Sequence, residues 1–177
     1  LQDRRRPLPE IPDRVRRQSG AISTKQDAAG GCDGIRNGTY GFHTDRENNP
    51  WWQVDLGQSQ PLTKIVVYNR CDGDVADRAA RLKVLLSQDS AEWTTCYQHD
   101  GSEFLGDADG KPLVIPVTGQ SARLVRIQLP GSQYLHLDEI EVFGGADNKN
   151  LALERPANQS STSSWSTASV AQVKAKT

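Results

Sequence analysis

The sequence predicts an all-β fold, a sandwich or barrel of short strands. Three observations carry this. Short runs of alternating or β-branched apolar residues recur along the chain, turn signals built on Gly, Pro and Asp separate them, and no convincing amphipathic helix appears. With 36 % hydrophobic residues in 177, the chain can bury one modest core.

Taken in order, residues 1–18 hold Pro7, Pro9 and Pro12 and no sustained periodicity, which reads as an extended arm. A stretch rich in Gly, Asp and Asn follows, from Asp27 to Asn49, and reads as loop. Trp52 to Leu56 alternates apolar and polar residues, and Leu62 to Tyr68 is dense in β-branched ones. Leu82 to Leu86, Trp93 to Tyr97 and Leu113 to Val117 are further short apolar runs, and Trp52 and Trp93 are expected in the core. Arg123 to Leu129 puts Val125, Ile127 and Leu129 on one face, and Glu139 to Phe143 alternates again. Turns are expected at Leu56-Gly57-Gln58, at Cys71 to Asp74, at Asp107 to Pro112 and at Pro130-Gly131. Ala76 to Leu86 is the nearest approach to a helix. These elements place the folded body at residues 19–144.

After Gly144 the character changes. Residues 145–148 read as a linker, and the Ser/Thr/Ala-rich remainder has only Leu151, Leu153, Trp165, Val170 and Val173 to bury, too little for a core of its own.

Charge and motifs exclude several function classes. Formal net charge is -1, which argues against general nucleic-acid binding. That neutrality is uneven: residues 3–17 carry six arginines against three acids, which leaves a body with 15 basic and 19 acidic residues. The arm is an exposed, solvated segment or a tether to an acidic body, its own or a neighbour's. No run of eighteen apolar residues supports a transmembrane helix. Beginning at Leu1 with no Met and no apolar leader, the chain reads as a processed product or an excised piece. Enzyme chemistry has no candidate, for there is no G-x-S-x-G, H-E-x-x-H, P-loop or G-x-G-x-x-G, and no His near Cys32 marks it as a nucleophile. Cys32, Cys71 and Cys96 match no zinc spacing; one disulfide plus a free thiol and three free thiols both remain open.

Three segments carry a family resemblance. The first is Cys32 to Gly38 followed by Asn49-Pro50-Trp51-Trp52-Gln53-Val54-Asp55-Leu56-Gly57. The second runs from Val67 through Tyr68-Asn69-Arg70-Cys71-Asp72 to Arg78, and the third from Leu129-Pro130-Gly131 through Tyr134 to Gly144. From Cys32 to Gly144 they span 113 residues, in order and at fitting intervals. The sequence thereby resembles the discoidin family, the coagulation-factor type C domain, and most closely its fucose-binding lectin branch. Asn150 to Trp165 also looks like the opening phrase of another such domain, so residues 145–177 are expected to be a linker plus the start of a second module, or else a strand exchanged with a neighbour.

The resemblance implies an eight-stranded antiparallel jelly-roll β-sandwich whose loops crowd one end, where ligand binds. It also implies a structural calcium ion held by the carbonyls of Gly30, Ile35 and Asp138, the side chains of Asp33 and Glu139, and Thr44. The residue chemistry agrees, because calcium takes six to eight oxygens around one or two carboxylates and the Gly30-Gly31-Cys32-Asp33-Gly34 loop can turn carbonyls inward. The competing reading leaves Asp33 and Glu139 as turn and edge residues satisfied by water. For the sugar, the resemblance matches Arg70 and Arg78 to two hydroxyl-gripping arginines and Glu47 to a family histidine, with Arg46 beside it and His43 nearby. The adjacent cysteine pair of the family is missing at Cys71-Asp72. The competing reading makes Arg70 and Arg78 a salt-bridge cluster with Asp72, Asp74 and Asp77. Asp107-Ala108-Asp109-Gly110 lacks the later Glu of a calcium loop and reads as a turn.

The expected function is therefore a calcium-stabilised, lectin-like glycan-binding module of an extracellular, cell-surface or periplasmic protein. The alternative is a structural or adhesive module that joins subunits through its N- and C-terminal extensions.

Overall fold

A computed structural model describes residues 22–168, so the arm at 1–18 and the last residues of the tail lie outside the described residues. The short helix α1 (Thr24–Ala28) opens the described chain, with Ser23 and Gln26 forming a reciprocal capping box. A 3₁₀ turn (Ala29–Gly31) follows it. The strands are β1 (Phe42–His43), β2 (Glu47–Asn48), β3 (Trp51–Tyr68), β4 (Lys83–Ser87), β5 (Thr94–Gln98) and β6 (Leu113–Pro116). They continue with β7 (Ser121–Gln128), β8 (Ser132–Gln133), β9 (His136–Leu137), β10 (Glu139–Gly144), β11 (Lys149–Asn150) and β12 (Ala157–Gln159).

Eight of these strands join through β3 into the two layers of an antiparallel β-sandwich. The first half of β3 pairs β7 and β12, and β4 and β5 extend that layer beyond β7. Its second half pairs β10 and β6, with β11 at the outer edge. The expected turn at Leu56-Gly57-Gln58 is a bulge instead. Gly57 takes φ +89, its N–H donates to Asp55 Oδ1, and the register shifts between Asp55 and Gln60. The local signal for a break was sound, but pairing on both sides of it keeps the backbone extended.

Alternation on β3 and β7 drives Trp52, Val54, Val125 and Ile127 into one core with Ile65, Val67, Ile140 and Val142. Trp52 is fully buried and donates its indole N–H to the Ala28 carbonyl, which ties α1 to the sandwich. Trp93 lies outside that core. It is half-buried on the outer face, where Arg126 sits between the Trp51 and Trp93 rings at 4.3 and 4.0 Å. Ala76 to Leu86 contains a single 3₁₀ turn before β4. Asp107–Asp109 is a turn, with Asp109 Oδ1 accepting from the N–H groups of Gly106 and Lys111. All three cysteines are free thiols.

The tail, read as a linker with a second module or an exchanged strand, packs as far as Ala168 on this chain's own body. β12 adds to the Trp52–Val54 edge of β3, Ala152 is fully buried, and Thr167 N donates to Asp27. The free edge of β3 and the buried carboxylate of Asp27 offer hydrogen bonds that a polar tail can fill without apolar mass of its own.

Candidate functional site

Two short ladders at one end of the sandwich build the site. β1 pairs β9, with His43 opposite His136, and β2 pairs β8. The cross-strand register brings the two imidazoles to 4.9 Å, and the Tyr40, Tyr134 and Trp165 rings lie 5.2, 5.6 and 5.1 Å from His43. Trp165 is half-exposed and reaches this place because the hydroxyls of Ser163 and Ser166 donate to the His43 carbonyl.

Arg70 and Arg78 converge on these rings. Arg70 forks onto Asp72 through Nε at 2.8 Å and Nη2 at 3.1 Å, and its guanidinium lies 4.8 Å from the Tyr40 ring. The fork holds the planar group in one orientation and leaves Nη1 outside it. Arg78 Nη1 donates to His136 Nε2 at 3.2 Å, and its guanidinium lies 5.3 Å from the Tyr134 ring. The salt-bridge reading thus holds for Arg70 with Asp72 and is replaced, for Arg78, by a histidine.

Both histidines are neutral. Burial lowers His136 to about 3, with Arg70, His43 and Arg78 adding to the effect. Burial also lowers His43, and the same two arginines contribute. His43 Nδ1 donates to the Thr44 carbonyl at 2.8 Å, so Nε2 is the acceptor of that ring. Two guanidinium groups, an imidazole acceptor and an aromatic wall match the surface of a sugar, which presents hydroxyls on its rim and C–H groups on its faces.

Glu47, placed by the sequence reading in the ligand site, has another role here. Its Oε1 accepts from the Ser160 and Ser161 hydroxyls, so it fastens the tail. His136, Tyr40, Tyr134 and Trp165 are the residues that sequence reasoning missed, and His43, noted only as near Glu47, joins them. The Tyr-x-x-His and Tyr-x-His spacings at 40–43 and 134–136 were visible, but the β1–β9 register that brings them together was not.

Of the residues expected to hold calcium, Asp33 and Asp138 act electrostatically on Glu139. Glu139 is fully buried; its Oε1 accepts from Gly34 N at 2.8 Å and its Oε2 has no partner. Burial pushes Glu139 up to about 9, with the Asp33 and Asp138 charges adding to the rise. Asp33 Oδ1 accepts from Ile35 N, and Asp138 Oδ2 accepts from Asn37 N and Gly38 N. Gly30, Gly41 and Asp138 meet backbone to backbone, for a Cβ on Gly41 would strike the Gly30 and Asp138 carbonyl oxygens. A buried carboxylate oxygen without a partner, with other acids acting on it, suits a hard cation. Among the described residues no three His, Cys, Asp or Glu side chains group to hold a metal. Thr44, the remaining member of the expected set, is hydrogen-bonded at both of its oxygens. Its hydroxyl accepts from Leu135 N and donates to the Asp45 carbonyl, and its own carbonyl takes His43.

A two-layer sandwich with its polar and aromatic residues gathered on end loops defines a β-sandwich binding domain. Residues 18–140 match the F5/8 type C domain, and the chain belongs to that family. Its similarities lie in the fucolectin-like branch. Fucolectin-6 of Anguilla japonica is 30 % identical over 100 residues, 56 % of this chain and 52 % of that protein, so the match spans about half of this relative. Fucolectin of Anguilla anguilla is 28 % identical over 130 residues, 70 % of this chain and 80 % of that protein. Among solved structures, the lectin domain of lectinolysin complexed with Lewis B antigen is 33 % identical at a TM-score of 0.56, covering 70 % of this chain and 89 % of that one. A fucose-binding module of Streptococcus pneumoniae is 28 % identical at a TM-score of 0.54, covering 68 % of this chain and 88 % of that one. No described helix is long and apolar enough to cross a membrane.

Proposed function

We propose that this chain is a carbohydrate-binding module that takes a fucose-type glycan between His43, Arg70 and Arg78. The observation that carries the reading is the arrival of both guanidinium groups, from the segment after β3, at the neutral His43–His136 pair. Arg70 Nη1 and Arg78 donate to sugar hydroxyls, His43 Nε2 accepts from one, and the Tyr134 and Trp165 rings cover an apolar face. Relatives that are fucolectins and fucose-binding modules support the sugar class. The module is placed on an extracellular, cell-surface or periplasmic protein.

The reading includes a structural calcium ion, with Asp33, Glu139 and the carbonyls of Gly30, Ile35 and Asp138 as its ligands. When bound it supplies charge that lets Glu139 stay ionised while buried, and it joins the first loop to β10. Each site binds weakly, and repetition of modules strengthens attachment. The second reading joins subunits through residues 1–18 and 145–177. β12 adds its backbone to its own β3 here, the same edge pairing that an exchanged strand would use.

A glycan array at high protein density, with and without chelator, tests the proposal. Fucosylated glycans retain the protein, and the chelator weakens the signal. Loss of all glycan signal sinks the lectin reading, and light scattering that finds only monomers removes the second.

A further inference from the structure

The sequence holds two Asn-x-Ser/Thr triplets, Asn37-Gly38-Thr39 and Asn158-Gln159-Ser160, each of the form that accepts an N-linked oligosaccharide. Their surroundings differ. Asn37 is half-buried in a bend in which Gly38, itself buried, takes φ +79. Its backbone N–H and that of Gly38 donate to the buried Asp138 carboxylate at 3.1 and 2.8 Å, so the turn is mounted on the body. Asn37 Oδ1 accepts from both the Thr39 N–H at 3.0 Å and the Thr39 hydroxyl at 2.8 Å. The oxygen is thus held by the third residue of the triplet, while the amide nitrogen makes no hydrogen bond and is not among the buried, partnerless atoms.

Asn158 sits inside β12, paired with Gln53 of β3, and its Oδ1 is buried. Gln159 beside it is 2 % exposed, and the Ser160 hydroxyl is spent on Glu47. An oligosaccharide on Asn158 would have to pull a planar amide with a buried oxygen out of the strand that closes the sheet edge.

We infer that Asn37 is a site of N-linked glycosylation and that Asn158 stays unmodified in the folded protein. The modification needs a lipid-pyrophosphate-linked oligosaccharide as donor. Asn37 Nδ2 attacks the anomeric carbon, the N–C1 bond forms, the C1–O bond to pyrophosphate breaks, and one amide proton leaves with the released lipid pyrophosphate. A glycan there emerges one loop away from the pocket, because the Gly38 carbonyl accepts from Cys71 N and from Asp72 N, the residue that forks Arg70. The inference rests on the extracellular placement proposed above and on neither sugar binding nor calcium.

The test expresses the full chain behind a cleavable secretion leader in a eukaryotic host. Secreted and retained fractions are treated with the glycosidase that leaves aspartate at each former attachment point, and both peptides are read by mass spectrometry. Asn37 carries the mark and Asn158 does not, and both Asn37→Gln and Thr39→Ala abolish it while Asn158→Gln does not. Asn37 unmarked in both fractions, or Asn158 marked in the secreted one, overturns the inference whatever the glycan array shows.

Discussion

Gln159 donates its side-chain amide to the Asp27 carboxylate at 2.7 Å, with Asp27 at 0 % and Gln159 at 2 % exposure. The same carboxylate accepts from His43 N at 2.8 Å and from Thr167 N at 2.9 Å. One acid on the first helix therefore sets the position of the β1 histidine and of the tail that covers it. Replacing Gln159 with leucine removes one donor from a charge that burial has already raised in pKa. Stability falls by about 1–3 kcal/mol, the usual loss when a buried polar group is left short of a partner. Denaturant unfolding of Gln159→Leu checks it, and an unchanged midpoint would show that the tail is not fastened here.

Arg70 is oriented by Asp72 and leaves Nη1 outside their fork. Arg70→Ala lowers glycan affinity by about 2–3 kcal/mol, the range of a charge-assisted hydrogen bond, while the thermal midpoint moves little. Asp72→Asn keeps the arginine but loosens its orientation, so its loss is smaller. Titration calorimetry with a fucosylated oligosaccharide separates the two. Stability lost with binding retained would make Arg70 a scaffold residue.

His43 and His136 act as neutral rings because burial and two neighbouring arginines disfavour their protonation. The unfolded chain takes up a proton at His136 near its ordinary value of 6.5, whereas the folded chain waits until about 3. His136 therefore costs the fold stability as pH drops below 6.5. Glycan affinity, in contrast, stays level from about pH 8 down to about pH 7, since both rings are held below their ordinary 6.5. His43→Ala abolishes binding at every pH. An affinity that falls away between about pH 8 and about pH 7 would mean a ring titrates in the bound complex.

Glu139 carries the opposite linkage. Its folded value of about 9 lies above the ordinary 4.5, so without metal the folded chain keeps a proton that the unfolded chain has released. This stability is complete below about pH 4.5 and is lost as pH rises toward 9. In chelator, unfolding free energy falls by about 1–3 kcal/mol between pH 7 and 9. Excess calcium raises the midpoint and removes the decline, because the ion binds the ionised carboxylate of the folded state alone. Glu139→Gln flattens the chelator profile and abolishes the calcium response. Identical curves with and without calcium in the wild type would take the metal out of the proposal.

Much of the sandwich was legible before any coordinates. Trp52-Gln53-Val54-Asp55-Leu56 and Arg123 to Leu129 alternate at the period of a strand, and both are paired strands with their apolar sides in the core. Short elements were not legible, since α1 has five residues and β1, β2, β8 and β9 have two each, too few to show a period. Trp93 misled for a related reason: an apolar residue beside a strand can lie on either face, and here Arg126 supplied an outer partner.

By itself the sequence determined an all-β body and its main strands, local properties written in side-chain period and residue type. Arg70, Arg78, Asp33 and Glu139 were singled out through the family resemblance. Only the tertiary structure decided that His43, not Glu47, stands with the arginines, that the Thr44 hydroxyl accepts from Leu135 N, and that the tail completes this module's own sheet. Each depends on which backbone edges are free and which buried groups lack partners, and those exist only once strands far apart in the chain have paired.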